Sequence, residues 1–284
     1  MAATSTRKQL REAGASNMGL LVTATADSVS GTTLVVNKLA RAIPHPELLR
    51  DAYITKDGVD YRRVTIAGAD GITLTLDSVL PGLVTNDAIG VYLLLTPEEM
   101  NTTINEEIVT NSREYRETIP IVASDNEYAL PDWVHHRGQV MDVFFRTTVT
   151  GAPVRESAAP SYRLLPSDDS LILHIIHLPY FDDAVSIIVR ARKYYDSLAT
   201  DDSTTTMPRD LAVKMVQVAI YKRLRRTYGD DFIRRIWGEE IGQANAEYVA
   251  LRQEYEPPLT ATELTQDFEW DGPDIPIEYV LPKW

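Results

Sequence analysis

The sequence predicts an α+β protein with two antiparallel β-rich segments, an intervening helix, a C-terminal helical hairpin and an extended C-terminal arm. Three observations lead there. Runs rich in Val, Thr, Leu and Ile are cut by Ser30-Gly31, Asp57-Gly58 and Asp70-Gly71, which are turn dipeptides between short strands. Apolar residues from Pro208 to Glu254 recur at helical spacing. Beyond Pro257-Pro258 the periodicity is lost, yet aromatic and branched residues persist.

Each segment follows in order. Residues 1–17 read as a polar N-terminal helix or arm, without the apolar stretch of a signal peptide. Residues 18–96 read as a small antiparallel β-domain, barrel or sandwich, with alternation at Ile72, Leu74 and Leu76. Residues 97–117 hold a helix of about four turns that ends near Asn111. Thr96 is its N-cap, Pro97 its first residue, and Met100, Ile104 and Ile108 share a face. Residues 118–200 form a second β-rich segment, closed by the polar connector "LATDDSTTT". Whether the two β segments make one domain or two stays open.

Residues 207–255 read as a helical hairpin. Leu211, Met215, Val218 and Leu224 trace one stripe; Phe232, Ile236, Ile241, Ala244, Tyr248 and Leu251 trace another; Gly229-Asp230-Asp231 separates them. Residues 256–284 are the arm, with seven acids, one lysine and prolines 257, 258, 273, 276 and 282. "IPIEYVL" within it nearly alternates, which suits strand addition to another sheet. A peptide of this kind does not recover its ordering entropy alone, so it lies on its own body or on a partner.

Composition narrows the function classes. A net charge of -13 argues against sequence-independent nucleic-acid binding by the chain as a whole. With no cysteine there is no disulfide, thiolate metal site or cysteine nucleophile. No apolar run reaches a membrane span. The motifs GxGxxG, GxxxxGK[ST], GxSxG and HExxH are all missing. The histidines are His45, His135, His136, His174 and His177. His174 and His177, three apart on a strand, point to opposite faces, so one metal does not take both easily. His135 and His136 suit a partly exposed loop. Asp182-Asp183, Asp201-Asp202 and Asp230-Asp231 suit turns and helix starts. The reading is of no catalytic residue, no metal and no cofactor.

One basic cluster stands out: Lys222, Arg223, Arg225, Arg226, Arg234 and Arg235. It is a solvated helix face that balances local acids, a docking patch for an acidic partner or neighbouring subunit, or, as a minor third option, a backbone contact for DNA passing through a pore. Tyr221, Tyr228 and Trp237 are expected to pack on the body. In the arm, Trp270, Ile277, Tyr279 and Trp284 are the expected anchors, because large aromatics dominate interfaces.

The order of a β-domain, "TPEEMNTTINEEI", "NEYALPDWVHHRGQVMDVFFR", "YRLLPSDDSLILHI" and "SIIVRARKYYDSLATDDSTTTMPRDLAVKMVQVAIYKRL" resembles the head-to-tail adaptor (connector or neck) proteins of tailed bacteriophages. The likeness covers most of residues 20–255 and is one of texture and order. It implies a non-enzymatic virion protein made in the host cytoplasm and placed in the neck between capsid and tail. It implies a homo-oligomeric ring, commonly of twelve subunits, bound to the portal protein and to tail or nozzle proteins. DNA would only pass through its channel. The large β content departs from smaller, mainly helical adaptors. It leaves room for a tail, baseplate or fibre-attachment protein, or for a carbohydrate-binding or carbohydrate-active β-protein whose groove would expose Trp133, Trp237 or Trp270.

Overall fold

The computed structural model describes residues 4–37, 46–122, 125–147, 155–159, 162–167, 171–176 and 184–256. They fall into two units. One holds the described residues of Met1–Asn111 and Tyr194–Tyr255; the other holds those of Ser112–Lys193 together with Glu256.

The first unit opens with β1 (Ser5–Thr6) and α1 (Arg7–Asn17). Thr6 and Gln9 cap α1 reciprocally: the Thr6 hydroxyl accepts from the Gln9 amide, and the Gln9 side chain accepts from the Thr6 amide. Six strands follow: β2 (Leu21–Ser30), β3 (Thr33–Val36), β4 (Tyr53–Thr55), β5 (Tyr61–Ala67), β6 (Thr73–Leu76) and β7 (Ala88–Tyr92). They close into an antiparallel barrel in the order β2-β3-β6-β5-β4-β7, with β7 returning to β2. Its interior is aliphatic, including Ala26, Leu34, Val36, Ile54, Val64, Leu74 and Val91, each fully buried. Closure leaves no free edge. A bulge between Val64 and Ile66 shifts the pairing by one residue and turns Ile66 outward, which explains its 62% exposure.

Helix α2 (Pro97–Ile108) starts as the sequence dictates: the Thr96 hydroxyl accepts from the Glu99 amide at 3.0 Å, and the Glu99 carboxylate accepts from the Thr96 amide at 2.9 Å. It ends sooner than the 97–117 segment suggested. Asn111 folds back, its side-chain amide donating to the Glu107 carbonyl at 2.9 Å. From Ser112 the chain alternates as a strand, so residues 112–117 belong to β structure.

The second unit contains β8 (Ser112–Pro120), β9 (Glu127–Ala129), β10 (Val140–Thr147), β11 (Arg155–Ala158), β12 (Tyr162–Pro166), β13 (Leu171–Ile175) and β14 (Ala184–Tyr194), the last of which runs one residue into the first unit. They form a four-stranded sheet, β11-β10-β14-β8, and a three-stranded sheet, β12-β13-β9. Both feed one core: Val143, Phe145, Ile187 and Val189 come from the first sheet, and Tyr128, Leu164, Leu173 and Ile175 from the second. The two β segments are therefore separate units.

The chain returns to the first unit through β15 (Thr204–Thr205), which pairs with β1. Three helices follow where a hairpin was expected: α3 (Arg209–Tyr228), α4 (Asp230–Trp237) and α5 (Glu240–Tyr255). Gly229 and Gly238, at φ +85° and +51°, break the chain twice in backbone conformations that side chains resist. Helix α3 is central rather than striped: Leu211, Ala212, Met215, Val216, Ile220 and Leu224 are all buried, and it packs on α1, α2 and α5. Gly14 permits the α1 approach, because a Cβ there would lie 2.4 Å from Val216 Cγ1. Buried positions on α4 and α5 are Ile233, Trp237, Ala244 and Tyr248, so the expected second stripe was placed one residue off in α4.

Candidate functional site

The basic cluster spans the end of α3 and all of α4, and its own fold supplies most of its counter-charge. Lys222 meets Glu107 at 2.7 Å, Arg223 meets Glu99 at 3.9 Å, and Asp230 takes both Arg225 and Arg234. The balancing of local acids therefore describes four of the six cations. Arg226 and Arg235 differ: among the described residues neither has a carboxylate partner, both are exposed, and the Arg235 guanidinium lies 5.6 Å from the Phe232 ring centroid. The aromatic residues pack on the body. Trp237 Nε1 donates to the Met18 carbonyl at 2.9 Å, and its ring meets Tyr221 edge-on. Burial, and secondarily Glu240, pushes the Tyr221 hydroxyl up to about 12. Tyr228 stacks on Phe232 and donates to the Leu94 carbonyl. Trp237 is only 6% exposed.

The connector between β14 and α3 does more than link. Arg7 and Arg11, one turn apart on α1, both reach Asp201. Arg11 is fully buried; its Nη1 donates to Asp201 Oδ1 at 3.0 Å and to Asn101 Oδ1 at 2.9 Å, and its Nε donates to the Tyr92 hydroxyl. Arg7 also donates to the Leu198 and Ala199 carbonyls. Asn105 brackets Leu198, accepting from its amide and donating to its carbonyl. Burial pushes the Asp201 carboxyl up, but the hydrogen bonds and charges of Arg11 and Arg7 outweigh it and hold the group below the usual carboxylate range. Sequence reading missed this clamp. The signal was present: Leu10, Gly14 and Ala15 define the buried face of α1, and Arg11 falls on it.

In the second unit, Tyr115 of β8 meets Trp133 edge-on at 5.3 Å, and the Lys193 ammonium lies 5.4 and 5.3 Å from the two ring centroids. A lysine of the same fold thus already lies against Trp133. The His135 and His136 loop is organised by Gln139, which is buried; its side-chain oxygen accepts from both histidine amides and its Nε2 donates to the Trp133 carbonyl. His174 sits opposite Glu127 across the β9–β13 pair, with Nδ1 at 3.5 Å from the carboxylate. His45, His177 and Asp182-Asp183 lie outside the described residues, as do the arm anchors Trp270, Ile277, Tyr279 and Trp284.

What the structure does give is the root of the arm. At the end of α5 the Tyr255 hydroxyl donates to Asp210 Oδ2 at 3.0 Å. The next residue, Glu256, is buried, and its carboxylate accepts from the Ser112 amide at 2.8 Å. Ser112 is the first residue of β8, and β8 is the last strand of its sheet. The chain therefore leaves the described residues at the head of β8, which among those residues is the last strand of its sheet. No family model matches this sequence, and no curated protein matches it either.

Proposed function

We propose that this chain is a structural, non-catalytic assembly protein that builds a homo-oligomeric ring joining a phage portal to its tail, as a head-to-tail adaptor. The supporting observation is the root of the arm: consecutive residues Tyr255 and Glu256 are each tied down by a side-chain hydrogen bond, and an acidic, aromatic, proline-broken stretch follows them. A fixed root followed by a stretch so rich in aromatic and branched residues suits a segment made to clasp another subunit. The order of sequence texture shared with connector proteins supports the same reading, as do Arg226 and Arg235, two exposed cations without a carboxylate partner among the described residues.

The test is the native mass of the full chain and of a chain ending at Glu256, each with and without portal protein. The expected result is a ring near twelve subunits for the full chain, formed alone or on the portal, and none for the truncated one. A trimer or hexamer would move the reading to a tail or baseplate part. Equal assembly by both chains would overturn the role given to the arm.

A further inference from the structure

We infer that α4 is a hinged strap: it detaches as one piece while the rest of the first unit stays folded, and a strained turn at Leu94 is the seat to which it is latched. This stands apart from the assembly reading and concerns the free chain. The attachment of α4 is slight. A helix of eight residues does not hold its own hydrogen bonds in water, so it persists only while packed. Of those eight residues, Ile233 and Trp237 alone are buried. Beneath its C-terminal end is a cleft of about 260 Å3, lined among the described residues by Leu20, Leu48 and Leu93 of the body and by Ile236 and Trp237 of the helix. Packing that leaves such a space forgoes contacts that a filled core makes.

Both ends of the helix are free to turn. Gly229 and Gly238, at φ +85° and +51°, flank it. Among the described residues nothing would meet a Cβ at Gly229 within 4 Å, and at Gly238 only the Arg234 carbonyl would, at 3.8 Å. Neither position is glycine for want of room; each is a point where the backbone can absorb a large change of angle. One brace crosses the first hinge, the ion pair of Arg225 with Asp230, and it is exposed, where such pairs contribute little.

Two latches hold the strap down. At its C-terminal end Trp237 Nε1 donates to the Met18 carbonyl at 2.9 Å. At the other end the Phe232 ring stacks on Tyr228 at 5.1 Å, and the Tyr228 hydroxyl donates to the Leu94 carbonyl at 3.1 Å. Leu94 has φ +67°, which leucine resists, and the Leu95 amide donates back to the Leu93 carbonyl at 2.8 Å. The two together close a three-residue turn of the rare, strained kind. Such conformations persist only where their surroundings impose them. Here Tyr228 grips the strained residue, and Leu93 beside it lines the cleft. The closed strap therefore carries the cost of the turn, and detachment lets the turn relax. Hinges, incomplete packing and strain all favour the same opening.

The chain has no cysteine, so one introduced thiol reports on one place. Ile233→Cys, under the strap, and Leu74→Cys, in the barrel core, are each reacted with Ellman's reagent in the full-length chain under native conditions. Amide hydrogen exchange of the unaltered chain is followed alongside, so the answer does not depend on either variant folding. The expected result is that the Ile233→Cys thiol reacts at least about ten-fold faster than the Leu74→Cys thiol, and that the amides of residues 234–237 exchange together, about ten-fold or more ahead of those of residues 215–224. Leu94→Gly and Leu94→Ala both remove the side chain, but only glycine relieves the turn, so the α4 amides should exchange about five-fold more slowly in Leu94→Gly. Exchange of α4 in step with α3, scattered rates within α4, or equal thiol rates would overturn the strap. Equal exchange in the two Leu94 variants would overturn the part given to the turn.

Discussion

Replacing Asp201 with alanine should be among the most destabilising single changes in the first unit. Arg11 has no exposed surface, and Asp201 supplies its counter-charge through two contacts of 2.9 and 3.0 Å. Removing one partner of such a pair leaves a buried charge and costs about 3–5 kcal/mol. At about 2–4 °C per kcal/mol for a protein of this size, the thermal midpoint should fall by about 6–20 °C. Arg11→Met should cost less, because it removes the buried charge itself and leaves Asp201 paired with Arg7 at 3.0 Å. Circular dichroism during thermal and urea unfolding measures both. The pH dependence has a fixed sign. Asp201 is held below its ordinary value, so its contribution is complete above about pH 4 and is lost as pH falls through the lower folded value. The stability gap between wild type and Asp201→Asn should therefore be flat from about pH 5 to 8 and close on further acidification. A cost below about 1 kcal/mol for Asp201→Ala, or a gap that widens in acid, would refute the clamp.

Two other predictions concern packing and the basic face. Gly14→Ala should destabilise by about 1–3 kcal/mol despite alanine's better helix propensity, since its methyl would meet Val216 at 2.4 Å; combining it with Val216→Ala should recover part of the loss in the same unfolding assay. Arg226→Glu with Arg235→Glu should slow assembly in a salt-dependent way, as light scattering follows, while the unfolding midpoint of the isolated chain stays close to wild type, because neither residue has an ion pair among the described residues to lose. Unchanged assembly kinetics at low salt would remove those two arginines from the interface.

What the sequence made legible was local, and what it hid was the identity of distant partners. The Thr96–Glu99 capping box, the strand alternation at Leu74 and Leu76, and the central helix at Leu211, Met215 and Leu224 follow from spacing alone. Spacing did not show that the first six long strands close on themselves, nor that a bulge at Thr65 reverses parity midway along β5, because both are set by pairing between strands far apart in sequence. It gave the end of α2 only to within a segment, because the residue that closes it, Asn111, also accepts the Tyr248 hydroxyl from more than a hundred positions away. The basic cluster shows the same limit. Six cations within fourteen positions look like a docking face until Glu99 and Glu107 arrive from another helix and cancel two of them, and the turn at Gly229 brings Asp230 to two more. Net charge per segment measures supply; only the fold says how much is spent internally. The arm reverses the case. Its composition alone marks an apolar, proline-broken segment, but a composition has no address. What the structure adds is the root of that segment: one buried carboxylate, Glu256, bonded to the first amide of β8.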